Sequence, residues 1–243
     1  MARHERVIVD LGTGDGRAVL ATVADRPGSL VIGIDANAAA MAESSRRAAR
    51  SVRNGAGPDA LFVVAAAEAL PPELAGLADE VRILFPWGSL LRGVLGLDER
   101  VVAGIAGLLA DGGSLEVLLS ITPRDGLDGL GSLDSAAVER VAAAFGRHGV
   151  EFVEVCPVTA AEVRATRSTW ARRLLAGGSD RPVWRLRFVR SAGDRPRPGP
   201  AVSSGERRAQ APCHLARDTM DSTTRRRPGA RPTRDDRPGA AGR

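Results

Sequence analysis

An apolar run at 6–12, RVIVDLG, passes straight into Asp10-Leu11-Gly12-Thr13-Gly14-Asp15-Gly16, and a helical pattern follows over 15–25. Glycines in such a strand–turn–helix let backbone approach a ligand closely and adopt positive φ values that other residues resist. A second apolar run, SLVIGID at 29–35, ends in Asp35, an acid placed to accept hydrogen bonds from ribose hydroxyls. The pair reads as a nucleoside-binding edge. The glycine spacing is GxGxG rather than the GxGxxG of nicotinamide sites, and Asp10 and Asp15 put negative charge where a pyrophosphate needs an uncluttered helix N-terminus. That charge suits a ligand carrying an ammonium and a sulfonium, so S-adenosyl-L-methionine is the cofactor expected at Asp10, Gly12, Thr13, Gly14 and Asp35. The plain alternative is a tight turn whose acid caps the helix.

Three further constellations follow along the chain. The run ALFVVAA at 60–66 leads into Ala67-Glu68-Ala69-Leu70-Pro71-Pro72, a turn that in such sheets lies beside the cofactor's adenine; Glu68 takes part there or merely caps the surface. DEVRILF at 79–85 leads into Pro86-Trp87-Gly88-Ser89, the edge where adenine-methylating enzymes of this architecture grip their target. Enzymes acting on an exocyclic amine usually show an Asp/Asn-Pro-Pro-aromatic motif there. An apolar Phe85 in place of the polar residue fits a ring nitrogen, which has its own lone pair. Trp170, in RSTWARR at 167–173, is expected in an irregular stretch before the last strand.

An isolated tryptophan is ordinarily core. A pair at a rim would instead stack a flipped base between two indoles, worth roughly 1–3 kcal/mol per stacked base. Trp184 alternates within a strand and is assigned to the core. Arg46, Arg47, Arg50 and Arg53 recur on one helical face, joined by Arg172 and Arg173; the face is either simply solvated or a grip on RNA phosphates. His4, His148 and His214 show no ligand spacing, and no metal site is expected.

The elements that must position these residues alternate. After the helix at 37–53 come the third and fourth strands, an amphipathic helix at 99–110 built on Val101, Val102, Ile105, Leu108 and Leu109, and a strand at 113–121. A helix at 134–148, a strand at 150–156, a short helix near 159–166 and a last alternating strand at 183–189 complete the pattern. Continuous apolar strands alternating with helices predict an α/β fold: a seven-stranded, mostly parallel sheet with helices on both faces and a late antiparallel pair.

Composition narrows the class. The 243 residues hold 34 basic and 29 acidic side chains, and every basic one is arginine, which reads first as a GC-rich coding bias. Residues 1–190 are nearly neutral, with 22 Arg against 23 acids, whereas 191–243 hold 12 Arg against 6 acids. The predicted organisation is therefore a folded domain over 1–190, in which the cofactor motifs above place the expected methyltransferase, and an Arg/Pro/Gly-rich tail over 191–243. The tail has too little apolar surface to offset its ordering entropy and is expected to be disordered. It either adds nonspecific RNA affinity or is a dispensable extension. No run of eighteen apolar residues and no secretory signal pattern is seen, and Cys156 and Cys213 lack CxxC spacing. A cytoplasmic location with no membrane partner is expected.

DLGTGDGR, IGID, AAAEALPPEL, ILFPWGSLLRGVLG and STWARRL resemble the Kam-type 16S rRNA (adenine(1408)-N(1))-methyltransferases, an aminoglycoside-resistance family, over roughly 6–190. The FPWGSLLRG and STWARRL elements are far more specific than the glycine turn. The resemblance implies a Rossmann-like enzyme that binds the 30S subunit as a monomer. It would methylate N1 of the decoding-site adenine and so block kanamycin- and apramycin-type drugs. It places Asp10, Gly12, Gly14 and Asp35 at the cofactor and Ala67 and Glu68 beside its adenine. Trp87 and Trp170 would lie on either side of the flipped base with Ser168 helping to place it. Arg46, Arg47, Arg50, Arg53, Arg172 and Arg173 would lie on rRNA.

The sequence departs from the family in lacking its N-terminal extension, typically a β-hairpin, before strand one, for which a truncated reading frame or a divergent paralogue would account. The linker at roughly 122–134 is short, its Arg124 has no secure family match, and the arginine-rich tail is foreign to the pattern. The expected mechanism is in-line attack of the adenine N1 lone pair on the sulfonium methyl, driven by positioning and without a general base. The alternatives are a methyltransferase of the same fold acting on another RNA or a small molecule, a catalytically silent RNA-binding relative, and a nicotinamide dehydrogenase.

Overall fold

The computed structural model describes residues 4–55, 59–122, 133–176 and 181–192 of the chain. Its order is β1 (Arg6–Leu11), α1 (Arg17–Asp25), β2 (Ser29–Asp35), α2 (Ala38–Arg53), β3 (Ala60–Val64), a 3-10 turn (Pro72–Leu74) and β4 (Ala78–Leu84). There follow α3 (Gly88–Val94), α4 (Glu99–Leu108), β5 (Leu109–Leu119), α5 (Ser135–Gly146), β6 (Val150–Pro157), α6 (Ala160–Ala165), α7 (Thr169–Ala176) and β7 (Trp184–Arg190). The expected tail beyond Ala192, Cys213, His214 and Arg124 lie outside the described residues.

The seven strands form one sheet in the order β3-β2-β1-β4-β5-β7-β6. β3, β2, β1, β4 and β5 run parallel, and β7 is antiparallel to both β5 and β6. The order reverses between β1 and β4, so the carboxyl ends of those two strands border the crevice where such sheets bind ligands. The antiparallel β7 enters at the same edge, since Trp184 pairs with Leu119 and Pro157, the last residues of β5 and β6. Every loop carrying a candidate site residue, apart from the helix-borne arginines, therefore meets at one edge.

Strand alternation divides the core. Val9, Leu11, Val81, Ile83, Leu115, Val117, Leu186 and Phe188 point into the large cluster under α4 and α5. On the opposite face Ile8 and Val31 pack against Val19 of α1. Leu84, Phe85 and Leu118 pack with Ala18, Val163 of α6 and Ala171 of α7.

Between those two clusters the second face is not apolar. Glu80, Arg82, Glu116, Glu154, Arg185 and Arg187 line a groove of about 890 Å³. Arg185 and Arg187 pair with Glu116 at 3.4 and 3.5 Å, and Arg187 also pairs with Glu154 at 2.9 Å. Helices pack on both faces of the sheet, as expected, and between them this stretch is held by cross-strand ion pairs, an option open to strands that alternate, as β7 does.

Two local expectations also change, and one helix appears where none was assigned. Leu109 and Ala110 start β5 rather than ending the preceding helix, with a register irregularity between Ala78 and Glu80. Residues 88–94 are helical despite Gly88 and Gly93, because Leu91 and Val94 are buried and Gly93 lies so close to Val101 that a Cβ would collide with it. Residues 169–176 are helical rather than irregular: Ala171, Leu174 and Leu175 recur on one face, which packs into the cluster beside α1. Trp184 is half-buried against the main core, as expected.

Candidate functional site: a glycine turn and a tryptophan pair at one sheet edge

The turn after β1 is held by backbone. Gly12 and Thr13 donate their N–H groups to Ile34 O at 2.8 and 3.0 Å, and Gly16 N–H to Thr13 O at 3.1 Å. Gly14 and Gly16 have φ of 60° and 69°, in the left-handed region that favours glycine. A Cβ on Gly16 would strike the Phe62 ring, whereas Gly14 faces open space, leaving its backbone approachable from outside. Gly16 is also the N-cap of α1, with no side-chain cap.

The acids separate into different roles. Asp10 is buried, 5% exposed, and accepts a hydrogen bond from Thr13 Oγ1 at 2.8 Å. Burial pushes its carboxyl above the usual carboxylate range, against the pull of Arg82; Asp35 and Asp15 push the same way as burial. A cation arriving at this edge would relieve that penalty. Asp35 accepts the Gly14 N–H on one oxygen and the Asn37 N–H on the other, both at 2.8 Å, and so clamps the glycine turn to the start of α2. Each oxygen keeps a lone pair for a ligand hydroxyl. Asp15, one residue before the N-cap, accepts the Arg17 N–H on its Oδ1 at 3.1 Å.

The turn after β3 lies alongside. Ala67 is buried, and the middle of α4 approaches it so closely that a Cβ on Gly104 would collide with Ala67 O. Ala67, Glu68, Leu70, Pro71, Arg100 and Gly104 line a cleft of about 440 Å³. Glu68 Oε2 is buried there with no hydrogen-bond partner among the described residues. An orphaned carboxylate oxygen is costly unless something outside the chain donates to it. Glu68 does not cap the 3-10 turn, whose N-cap is Pro71.

The tryptophans meet. Trp87 is the N-cap of α3 and Trp170 sits in the first turn of α7; they are 53% and 37% exposed, and their ring centroids lie 4.9 Å apart at 32°. Phe85 aims the chain toward this contact by taking φ = 56°, uncommon for a residue with a side chain, while its N–H bonds Leu118 O at 2.7 Å. Arg173 places its guanidinium 5.6 Å from the Trp170 ring. Phe85, Pro86, Trp87, Leu91, Trp170 and Arg181 are among the residues lining a cleft of about 110 Å³, and no carboxylate or histidine is among the described residues that line it.

Ser168 directly precedes α7, and its hydroxyl has no partner among the described residues. Two site residues carry no mark in the local sequence. Arg181 bonds Ser120 Oγ and O at 3.3 and 3.4 Å, and Thr169 donates its hydroxyl to Asp15 at 2.6 Å. Only folding brings either to the edge.

The basic residues are divided. Arg172 and Arg173 are exposed on α7 itself. Arg46, Arg47, Arg50 and Arg53 are exposed on the second half of α2, about 12–23 Å along the helix from its start. Arg46 and Arg50 pair with Glu43 at 3.2 and 3.5 Å, so the face is less basic than its arginine count suggests. Among the described residues no helix is long and apolar enough to cross a membrane, and no cluster of His, Cys, Asp and Glu could hold a metal ion.

Comparison with known proteins agrees with this layout. The family model described as 16S rRNA (adenine(1408)-N(1))-methyltransferase matches residues 1–189. The chain is 33% identical over 178 residues to a 16S rRNA (adenine(1408)-N(1))-methyltransferase of Streptoalloteichus hindustanus, covering 71% of this chain and 82% of that one. It is 30% identical over 186 residues to one from Escherichia coli, covering 73% and 84%. A tryptophan-to-alanine variant of the enzyme from Catenulisporales acidiphilia, crystallised with cosubstrate SAM, superposes with a TM-score of 0.70 at 32% identity over 80% of this chain and 90% of that one. The chain belongs to the 16S rRNA (adenine(1408)-N(1))-methyltransferase family.

Proposed function

We propose that this protein transfers a methyl group from S-adenosylmethionine to N1 of adenine 1408 in 16S rRNA within the 30S subunit, acting as a cytoplasmic monomer and conferring aminoglycoside resistance. The observation that carries the reading is the meeting of Trp87 and Trp170, from segments 83 positions apart, at the edge that also holds the glycine turn. The residues fit the cofactor: Gly14 leaves its backbone open, Asp10 is a buried acid that a cation would relieve, and Glu68 has a buried oxygen needing a donor. Asp10, Gly12, Thr13, Gly14 and Asp35 would hold it, with Ala67 and Glu68 beside its adenine. When bound, S-adenosylmethionine supplies a methyl group on a sulfonium, reactive toward a nitrogen lone pair.

The chain's own work is positioning. Trp87 and Trp170 stack on the two faces of the extruded base, and Ser168, with its unpartnered hydroxyl, bonds the target nucleotide. Adenine N1 needs no deprotonation before attack, which agrees with a cleft lined by no carboxylate or histidine among the described residues. The ring gains positive charge as the N1–C bond forms, and two indole faces favour a cation between them. Arg172 and Arg173 contact the target's phosphates, and Arg46, Arg47, Arg50 and Arg53 grip rRNA further from the slot. Residues 1–190 make up the methyltransferase unit, and 191–243 form a separate arginine-rich extension.

The test is methyl transfer to purified 30S subunits followed by primer extension, paired with kanamycin and apramycin susceptibility of a sensitive bacterium expressing the full chain. A stop at the decoding adenine with resistance to both drugs is expected. A soluble, cofactor-binding protein that gives neither would overturn the reading.

A further inference from the structure

The two halves of the edge are joined by one side chain. Thr169 Oγ1 donates to Asp15 Oδ2 at 2.6 Å, across 154 residues of sequence, and accepts from Arg172 Nη2 at 3.1 Å. Asp15 is in turn fixed within the glycine turn: its Oδ1 accepts the Arg17 N–H, and its carbonyl accepts from Ser44 Oγ at 2.6 Å, where Ser44 is buried under α2. Thr169 is the first residue of α7, Trp170 is the second, and Ala171 is fully buried beside Ala18 of α1. The height of Trp170 above the glycine turn is thus set by a helix whose first residue is tied to that turn.

The spacing of the tryptophans shows what that tie must control. A base between two rings needs two layers of about 3.5 Å, close to 7 Å between ring planes. The centroids lie 4.9 Å apart, so the rings fill the slot themselves and admitting a base separates them by about 2 Å. Trp87 follows the left-handed Phe85, which β4 and β5 hold in place, whereas Trp170 stands on an eight-residue helix attached at its first residue through Thr169.

We propose that Thr169 is a positioning residue: its hydrogen bond to Asp15 couples the glycine turn to Trp170, so that the state of the cofactor turn sets the opening and height of the base slot. Arg172, which shares the Thr169 hydroxyl, links the same relay to RNA phosphate. This inference rests on the function proposed above. For this role Thr169 needs no contact of its own with the base or the methyl group. It acts by holding Trp170 where a stacked base meets the donor.

The experiment uses the full chain with Thr169→Val, which keeps the shape and loses the hydroxyl, and Thr169→Ser, which restores it. Two readouts are taken: the single-turnover methylation rate on 30S subunits at saturating S-adenosylmethionine, and the change in tryptophan fluorescence on adding S-adenosylhomocysteine to a Trp184→Phe background, in which only Trp87 and Trp170 emit. Thr169→Val is expected to lower the rate about 10- to 100-fold and to abolish the fluorescence response. Calorimetric affinity for S-adenosylhomocysteine should stay within about threefold, and Thr169→Ser should recover both signals.

If Thr169→Val does not fold, Asp15→Asn, which turns one acceptor oxygen into an amide, is read in the same way and is expected to lose the response. A Thr169→Val or Asp15→Asn protein with wild-type rate and wild-type response overturns the coupling. A parent protein that never methylates 30S subunits overturns the proposed function instead, and the fluorescence comparison then still decides whether Thr169 ties the tryptophan pair to the turn.

Discussion

The glycine-turn side of the edge and the tryptophan side are built in opposite ways. The turn after β1, the end of β2 and the turn after β3 all lie within the first 72 residues, and backbone hydrogen bonds tie neighbouring strands into their shape. The tryptophan pair joins the middle of the domain's sequence to its C-terminal part, with few hydrogen bonds of its own, and rests on apolar contacts of Phe85, Ala171 and Leu174 with α1, α6 and β5. A site assembled from local backbone is rigid and pre-formed. A site assembled from two helix starts can open by small shifts, which suits a slot that must admit a base. Function at the first side should therefore appear as cofactor affinity, and at the second as rate.

The largest effect expected from that contrast is at Trp87. Trp87→Ala removes one stacking face and should lower methylation of 30S subunits more than about 100-fold, while S-adenosylmethionine affinity by calorimetry changes less than about threefold. Equal loss of both would break the contrast.

Asp10→Asn tests the other side. Burial holds the Asp10 carboxyl above the usual range in the unliganded protein and a cationic ligand draws it down, so ligand binding and deprotonation of Asp10 favour one another. Affinity for S-adenosylmethionine should fall as pH drops through that raised value. Asp10→Asn should flatten the dependence and weaken binding about tenfold at neutral pH. A buried acid with a raised pKa destabilises the fold once ionised, so the unliganded Asp10→Asn protein should melt higher than the wild type at pH 7.5. A lower melting point would show that the carboxylate has a structural role instead.

A smaller effect is expected on α2. Arg47 and Arg53 have no ion-pair partner among the described residues, whereas Arg46 and Arg50 share Glu43. Replacing Arg47 and Arg53 by Gln should weaken 30S binding roughly three- to tenfold at low salt, and less as salt rises. The same pair of changes at Arg46 and Arg50 should cost less. Salt-insensitive binding would remove α2 from the interface.

The smallest effect concerns the support of the tryptophan side. Glu162 accepts from the Thr159 N–H and hydroxyl and from Arg185, and the Thr159 hydrogen bonds, backbone first, with Arg185 adding to them, hold its carboxyl down at about 2. A depressed carboxylate adds stability above its unfolded value and loses it as pH falls through the folded one. The melting-point gap between wild type and Glu162→Gln should therefore be present at pH 6 and close by about pH 2. Because the side chain is 42% exposed, the gap should be small, about 1–2 °C.

Much of this edge was legible because its chemistry is local. Glycines at 12, 14 and 16, an acid before them and an acid at the end of the next strand need only strand and turn geometry to converge, and they do. The seven strands were equally legible, since apolar runs of five to eight residues leave few choices. The helical state of 88–94 and 169–176 was not. The first contains glycines that propensity disfavours and burial overrides, and the second is too short for its own pattern to outweigh its flanks. The charged half-face of the sheet escaped for a related reason: alternation in β7 reveals two unlike faces but not whether a helix covers the polar one.

By itself the sequence determined the alternating α/β plan, the glycine turn with its acids, and two tryptophans in company unlike that of a core residue, because each depends on neighbours within a few positions. The tertiary structure alone decided that those tryptophans touch, that Glu68 keeps a buried oxygen without a partner among the described residues, and that Thr169 ties Asp15 to the helix of Trp170. Contacts across 83 and 154 residues depend on the angle at which helices leave a sheet edge. That angle is set by the packing of Phe85, Ala171 and Ala18 together, which no local pattern encodes.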